Sequence, residues 1–391
     1  MSVSRTTVEA LQGKEPAVRM MHIPFLRPRL PEKEAYLGYL SQIDESRWYS
    51  NFGPLNSLLE KRLLAEYFDN LGAVTTVNNA TTGLMLAISL VKRKGRYALM
   101  PSFTFPATPL AAMWCGLNPY FIDIRKDDWC MDEHLIDKAL KKLRGEVAAV
   151  IPYATFGTCL DLTYYEALHD SGVPVVVDAA PCFGTTGDDG QFGKGFPGAV
   201  VFSFHATKPF GIGEGGLIYS GKPESIAMMR QGSNFGFSSE RVTELQGLNA
   251  KLSEYAAAVA LATLDEFPRK IQKRQAIYQC YLKQFKEIGL FDSEWSIHDS
   301  SGRIPFQFVA ALCPENQINS TFVKHLTANR IESRTYFCPA CHQQTLFLGF
   351  PHPPLPITEK VSQRVLSLPL WEDMTAGDVS KVVSALFTEG H

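Results

Sequence analysis

The 391-residue sequence has little excess charge and few cysteines. Its 38 basic and 40 acidic side chains give a formal net charge of −2, which excludes a broad electrostatic surface for nucleic acid or an anionic membrane. The eight cysteines are sparse and lie mostly in apolar surroundings, as is typical of a reduced cytosolic protein. No apolar run approaches the ~20 residues that span a bilayer, and residues 1–20 lack the apolar stretch of a signal peptide. We therefore expect a cytoplasmic protein without nucleic-acid or membrane partners.

Short apolar runs alternate with segments of helical periodicity through the first two thirds of the chain. Runs such as Ala148–Tyr153 and Val173–Val177 are almost entirely apolar, which favours strands buried on both faces of a mostly parallel sheet between helices. Ser253–Phe267 predicts an Ala-rich helix, and residues 268–289 predict a second, more polar helix. The pattern indicates an α/β fold with a seven-stranded sheet.

The length suggests more than one domain, since one domain takes roughly 150 residues. We predict an N-terminal extension over residues 1–22 and a large α/β domain over residues 23–265. A smaller C-terminal α+β domain is predicted over residues 266–391, and the first part of the large domain could pack with it.

Two motifs match known patterns without the context those patterns need. Gly211–Gly216 (GIGEGG) fits a dinucleotide-binding fingerprint, but it leads into a strand-like run rather than a helix. Its glycines instead indicate a close approach of the backbone to a ligand or to other backbone. Cys338–His342 (CPACH) fits a haem-attachment motif, but the chain has no export signal and no second ligand pair for zinc. We therefore predict no metal site.

Asp178 and Lys208 carry the strongest chemical signal. Asp178 ends an apolar strand, where an acid is costly unless it meets a positive partner and where open α/β sheets bind ligands. Lys208 follows another apolar strand, and burial there would lower the pKa of its amine. Taken singly, an N-cap aspartate and a solvated lysine are the common alternatives. Together the two fit pyridoxal 5′-phosphate, which needs a lysine for its imine and an acid against its ring nitrogen.

Two further segments could complete a cofactor site. Residues 73–84 read as a strand, a polar turn and a helix start, with Thr81 or Thr82 as N-cap. The N–H groups of Ala80 and Thr81 would then bind phosphate, with the Ser203 hydroxyl beside them. Phe105 follows a strand and could stack on a planar ring. An ordinary capped helix and a core phenylalanine are the alternatives.

These segments together resemble the DegT/DnrJ/EryC1/StrS family of sugar aminotransferases, which have the aspartate aminotransferase fold (fold type I). The resemblance covers nearly the whole chain from about residue 23. It is carried by IPFLRP from Ile23, WYSNFGP from Trp48, NAT from Asn79, TFPAT from Thr104, VDAA from Val177, SFHATK from Ser203, GEGG from Gly213, GLNAKLSE from Gly247, RTYFCP from Arg334 and SLPL from Ser367.

The resemblance implies a role for each matching residue. Lys208 would form the imine, Asp178 would pair with the ring nitrogen and Phe105 would stack on the ring. Ala80, Thr81 and Ser203 would bind the phosphate. The family also implies a homodimer with shared active sites, in which Asn249 reaches the neighbouring subunit's phosphate and Lys251 lines the site. Two positions depart from the family: Ala80 stands where glycine is usual, and Pro181 stands where many members have glutamine or histidine.

The resemblance implies transfer of an amino group from L-glutamate to a nucleotide-linked keto-6-deoxy sugar. The His-Ala-Thr-Lys and Gly-Glu-Gly-Gly patterns look more like members that aminate C4, with a thymidine or uridine diphosphate carrier, as in lipopolysaccharide O-antigen biosynthesis. Contacts to that substrate are expected from Arg334, Tyr336 and His342. Amination at C3 and a non-catalytic regulatory protein that binds pyridoxal phosphate are the alternatives.

Overall fold

The computed structural model describes residues 22–387. The α-helices of this part are α1 (Leu37–Ser46), α2 (Pro54–Phe68), α3 (Ala80–Val91), α4 (Ala107–Trp114), α5 (Glu133–Leu143), α6 (Thr163–Asp170), α7 (Pro223–Gly232), α8 (Glu254–Glu287), α9 (Asn319–Ala328), α10 (Pro356–Arg364) and α11 (Ala376–Ser384). The strands are β1 (Ala73–Val77), β2 (Tyr97–Pro101), β3 (Asn118–Ile122), β4 (Val147–Val150), β5 (Val176–Asp178), β6 (Thr186–Gly187), β7 (Gly190–Gln191), β8 (Ala199–Ser203), β9 (Gly216–Ser220), β10 (Ser296–Ile297), β11 (Val309–Leu312) and β12 (Val365–Leu368). Short 3-10 helices cover Lys33–Ala35, Thr155–Gly157, Phe291–Ser293, Cys341–Gln343 and Thr345–Phe347.

Seven strands form the central sheet in the order β3-β2-β4-β5-β8-β9-β1. Ladders join β3, β2 and β4 on one side and β5, β8, β9 and β1 on the other. Parallel bridges Val150–Val175 and Tyr153–Asp178 connect the two sets between β4 and β5. Only β9 runs antiparallel to its neighbours, so the prediction of a mostly parallel seven-stranded sheet is confirmed.

The apolar runs of the sequence follow from burial on both faces of this sheet. Along β8, Val200 and Phe202 belong to one hydrophobic cluster, while Ala199 and Val201 belong to another. In β5 the neighbours Val176 and Val177 divide between the same two clusters. Since successive side chains of a strand point to opposite faces, apolar residues are required at every position.

A smaller antiparallel sheet in the order β10-β11-β12 follows in the C-terminal part. Its own hydrophobic cluster includes residues of α8 and α11 and also Ile23, which forms a bridge with Ile331. The segment that begins at residue 23 therefore packs against the C-terminal part. This arrangement agrees with the predicted fold class.

Helix α8 corrects one prediction. The Ala-rich and polar segments form one 34-residue helix that contains Pro268, because buried side chains on both sides of the proline, including Phe267 and Arg274, hold it in place. The proposed domain boundary at 265/266 lies inside this helix, and the division into domains stays a prediction. Most of the proposed extension, residues 1–21, lies outside the described residues. Within residues 22–387, no helix combines the length and apolar character that crossing a membrane requires.

Candidate active site

A cavity of about 650 Å³ opens where the parallel strands of the large sheet end. Asp178 ends β5 and Ser203 ends β8, while Asn79 follows β1 at the start of α3. Gln307, Phe308, Tyr336 and Phe337 from the C-terminal part close the other side. The cavity therefore lies between the carboxyl edge of the sheet and the smaller sheet's connections, where open α/β folds bind ligands.

Asp178 forms the floor of this cavity. Its side chain is 3% exposed, and burial raises the pKa of its carboxyl group. The Thr108 hydroxyl donates to Oδ2 at 2.6 Å and the Ala180 N–H donates to Oδ1 at 3.1 Å. These two hydrogen bonds, with the charge of Lys208, favour the ionised form and oppose part of the effect of burial. A carboxylate held in this way can pair with a cationic ring nitrogen.

Lys208 lines the same cavity, on the turn between β8 and β9. Its backbone N–H donates to the His205 carbonyl at 2.8 Å, and its Nζ donates to Gln307 Oε1 at 3.1 Å. Burial lowers the pKa of the amine, and the charge of Asp178 opposes that effect only in part. A lowered pKa makes the neutral, nucleophilic amine more available at physiological pH.

The amino end of α3 forms a polar turn at the cavity wall. Its N-cap is Asn79, whose Oδ1 accepts from the Thr82 N–H at 2.9 Å, rather than Thr81 or Thr82 as the sequence pattern suggested. The N–H groups of Ala80 and Thr81 start the helix and have no carbonyl four residues earlier in the same helix. Ser203 also lines the cavity. Such a turn provides donors and a helix dipole for a phosphate group.

The glycine-rich segment fits tightly against this turn. A Cβ at Gly216 would lie 3.0 Å from Ala80 N and 2.9 Å from the Phe202 carbonyl oxygen. A Cβ at Gly211 would lie 2.5 Å from the Ala206 carbonyl oxygen. The glycines therefore allow close backbone packing beside the cavity, which agrees with the interpretation drawn from the sequence.

Aromatic side chains supply much of the remaining wall. Phe105 is 56% exposed and lies at the cavity, with its ring centroid 6.4 Å from that of Phe337. Tyr336 also lines the cavity. Pro181, one of the two positions that depart from the family, lines it as well. An exposed phenylalanine face at this place suits a planar ligand, and its stacking role stays a prediction.

Asn249 and Lys251 do not line the cavity of the single chain. Asn249 is exposed, and its Oδ1 accepts from Lys251 Nζ at 2.7 Å. Lys251 Nζ also donates to Asn234 Oδ1 at 2.8 Å and lies 4.7 Å from the Phe235 ring centroid. This surface position is compatible with a role in a neighbouring subunit's site, which stays a prediction.

Arg334 and His342 likewise lie outside the cavity wall, in contrast to Tyr336. Arg334 pairs with Glu332 and lies over the Phe25 ring. His342 is buried, with Nδ1 2.7 Å from Ser102 Oγ and Nε2 3.3 Å from Glu359 Oε1. Both ring nitrogens therefore have protein partners, and the single chain gives no support to a substrate contact by His342.

The CPACH segment holds the loop that carries Phe105. The Cys341 N–H donates to the Ser102 carbonyl at 3.0 Å, and its Sγ lies 3.2 Å from the Thr104 carbonyl oxygen. Cys338 and Cys341 are free thiols. In the described part of the chain, no three His, Cys, Asp or Glu side chains group to hold a metal ion.

Sequence reasoning missed Tyr153 and Gln307, which line the cavity, and Thr108, which bonds to Asp178 from outside the cavity wall. Thr108 lies within the TFPAT motif, about one helical turn after Phe105. Its place in that motif was the signal that could have identified it. Tyr153 follows β4 and lies beside Asp178 through a backbone bridge. Gln307 comes from a segment 99 residues away from Lys208, and no local pattern indicates it.

A family model provides the first comparison with known proteins. Residues 31–387 match the model of the DegT/DnrJ/EryC1/StrS aminotransferase family. The chain belongs to this family. The resemblance inferred from the motifs is thereby confirmed over nearly the whole chain.

Individual relatives agree with that membership. The chain is 32% identical to protein Rv3402c of Mycobacterium tuberculosis over 93% of its own length and 89% of that protein. It is 28% identical to the dTDP-4-amino-4,6-dideoxy-D-glucose transaminase of Escherichia coli over 93% of this chain and 98% of that enzyme.

Solved structures confirm the fold. A putative PLP-dependent aminotransferase from Bacillus cereus is 48% identical, with a TM-score of 0.92 over 93% of this chain and 99% of that chain. DesI, solved in the presence of its TDP-sugar product, is 30% identical, with a TM-score of 0.83 over 92% of this chain and 90% of that chain. The cofactor prediction is also confirmed, because membership of this family identifies pyridoxal 5′-phosphate as the cofactor.

Proposed function

We propose that this member of the family transfers an amino group from L-glutamate to C4 of a nucleotide-linked keto-6-deoxy sugar. The observation that carries the proposal is the presence of Lys208 and Asp178 in one cavity at the carboxyl edge of the sheet. Support for the sugar class comes from two relatives, the dTDP-4-amino-4,6-dideoxy-D-glucose transaminase and DesI with its TDP-sugar product. The C4 position also draws on the HATK and GEGG patterns.

The cofactor, when bound, supplies a carbonyl carbon that accepts the amino group and a ring that accepts electrons. The turn at Ala80 and Thr81 would hold its phosphate, and Asp178 would keep its ring nitrogen protonated. Lys208 Nζ, once free, is the base that takes the proton from the Cα of glutamate.

The same residues disfavour a non-catalytic regulatory role. A protein that only senses a ligand needs no amine with a lowered pKa beside a buried carboxylate. In this chain both groups are present, and burial shifts each pKa towards the neutral form. Perturbed pairs of this kind are typical of acid–base chemistry.

Product analysis tests the substrate proposal. The full-length protein is incubated with cofactor, glutamate and a panel of thymidine-, uridine- and guanosine-diphospho-keto-sugars. Products are identified by mass spectrometry and NMR. We expect an amino group at C4 of a thymidine or uridine diphosphate sugar, whereas amination at C3 would contradict the proposed position.

Lys208→Ala tests the role of the lysine. We expect turnover to fall below detection, because both the covalent attachment point and the base are lost. Exposed Lys324→Ala is the matched control and should retain normal turnover. Normal turnover in the Lys208 variant would refute the assignment. The homodimer with shared active sites and the cytoplasmic location stay predictions.

A further inference from the structure

Gln307 is the residue of the C-terminal part that contacts the reactive amine. It lines the cavity, is 8% exposed and accepts a hydrogen bond from Lys208 Nζ at 3.1 Å. Within residues 22–387, Lys208 Nζ forms no other hydrogen bond. The ammonium form of Lys208 is a donor without acceptor capacity, so the amide oxygen of Gln307 is the group that faces it.

The backbone before Gln307 is held in an unusual conformation. Phe306 has φ = +28°, in the left-handed region that residues with a side chain rarely occupy. Its ring stacks on that of Tyr278, with centroids 3.7 Å apart and an interplanar angle of 8°. Such strained positions persist only where surrounding contacts fix them, and they are frequent beside functional groups.

A buried ion pair fixes the same point of the backbone. Arg274 Nη1 donates to the Phe306 carbonyl at 2.9 Å, and Arg274 Nε donates to Glu372 Oε1 at 2.8 Å. The two charged side chains are only 5% and 6% exposed. The amide of Gln307 is therefore presented to the cavity by a rigid support that extends from α8 to the residues after β12.

We propose that Gln307 is a positioning residue that holds the amine of Lys208 in place whenever this amine is not linked to the cofactor. Lys208 must leave and rejoin the cofactor in each cycle, and a flexible four-carbon side chain would otherwise sample many orientations. The Gln307 oxygen fixes one of them. This catalytic meaning rests on the proposed function, whereas the contact itself can be tested without the cofactor.

The contact predicts how Lys208 titrates. An amide oxygen binds an ammonium group more strongly than a neutral amine, because a charged donor makes the stronger hydrogen bond. Loss of the oxygen in Gln307→Leu should lower the pKa of Lys208 by about one unit. Gln307→Glu has nearly the same shape and replaces the oxygen with a negative charge, so it should raise the pKa.

The measurement is competitive acetylation of the full-length, cofactor-free protein with acetic anhydride over a range of pH, with Lys208 quantified by peptide mass spectrometry. Asn319→Leu is the control, since it removes a buried amide that bonds to the carbonyls of Ser362 and Val365. The control should leave the Lys208 pKa unchanged. Opposite shifts in the two Gln307 variants support the proposal.

Equal Lys208 titration in the wild type, Gln307→Leu and Gln307→Glu would overturn the proposal. If the leucine variant fails to fold, the glutamate variant alone still decides the matter by a raised or an unchanged pKa. Mixing the same preparations with pyridoxal 5′-phosphate tests the proposed function separately. A wild-type protein that binds no cofactor would refute that function and leave the titration result valid.

Discussion

The Thr108 hydroxyl group favours the ionised form of Asp178 more than any other single contact does. Burial raises the pKa of this carboxyl group, and the Thr108 hydroxyl is the strongest of the interactions that lower it. Thr108 lies in the first turn of α4 and itself contacts Thr104 at 2.8 Å. The TFPAT motif is therefore predicted to serve the cofactor site twice, through the ring of Phe105 and through the hydroxyl of Thr108.

Thr108→Val should move the pH dependence of the reaction. The substitution keeps the shape of the side chain and removes the donor, so the pKa of Asp178 rises further. Since the reaction needs ionised Asp178, the acidic limb of the kcat/KM profile for glutamate should shift to higher pH by about one unit.

Thr263→Val is the control for Thr108→Val, because its hydroxyl bonds to the Val259 carbonyl inside α8. The pH profile of this control should match that of the wild type. An unshifted acidic limb in Thr108→Val would mean that the hydroxyl does not set the charge of Asp178.

Individual site residues could be predicted from sequence where they end or closely follow a strand. Asp178 and Lys208 stand next to apolar runs, so their burial and their location at the sheet edge follow from local patterns. Gln307 reaches the site through the strained backbone at Phe306 and through Arg274. Such tertiary contacts leave no periodicity, and local sequence reasoning could not find them.

The contact between β9 and the start of α3 sets the shape of the phosphate turn. Gly216 begins β9 and pairs with Val77, the last residue of β1. A side chain there would approach Ala80 N, one of the groups predicted to bind phosphate. Ala80 stands where the family resemblance led us to expect glycine.

Gly216→Ala should weaken cofactor binding. The added methyl group would displace the turn that presents the N–H groups of Ala80 and Thr81. We expect the Kd for pyridoxal 5′-phosphate to rise about tenfold or more, equivalent to about 1.4 kcal/mol. Titration followed by absorbance measures the affinity, and circular dichroism checks that the variant is folded.

Gly38→Ala is the matched control, since a Cβ at this helical position meets no atom within 4 Å. Its cofactor affinity should equal that of the wild type. Wild-type affinity in Gly216→Ala would show that the turn does not hold the phosphate.

Helix α8 shows why the bounds of a helix are difficult to predict from sequence. A proline inside a helix costs a hydrogen bond and usually ends or bends the helix, and Pro268 lies where the two predicted helices meet. The packing of buried residues on both sides of the proline outweighs that cost. Strands were easier to predict, because β8 and β9 coincide with mostly apolar runs in which every residue is buried.

The whole molecule has a near-neutral net charge, and its cavity likewise has few basic side chains. Lys208 and His205 are the only basic side chains among the residues that line it within the described chain. Phosphate and the carboxylates of glutamate would need further positive groups. Lys251 is partly buried beside exposed Asn249 and Phe235. Tyr255, at the start of α8, stacks on Tyr49, and both rings are about half exposed.

This exposed aromatic surface around Lys251 favours contact with a second copy of the chain. Aromatic side chains are enriched where subunits meet, and a twofold dimer would place each such surface against its counterpart. Two chains would then share each site, with the partner subunit's Asn249 and the partner subunit's Lys251 completing the cation-poor cavity.

Subunit complementation tests this arrangement. Lys208→Ala and Asn249→Ala should each be nearly inactive alone. In a mixed dimer, one site combines both defects, while the other combines an intact Lys208 with an intact Asn249 from the opposite chain. After the two variants are unfolded together and refolded at equal amounts, half of the dimers are mixed and each has one intact site. Activity should therefore recover to about one quarter of the wild-type value.

Recovery requires exchange of subunits, so mixing without unfolding is the control. If the refolded mixture stays as inactive as its components, Asn249 serves the site of its own chain or none at all.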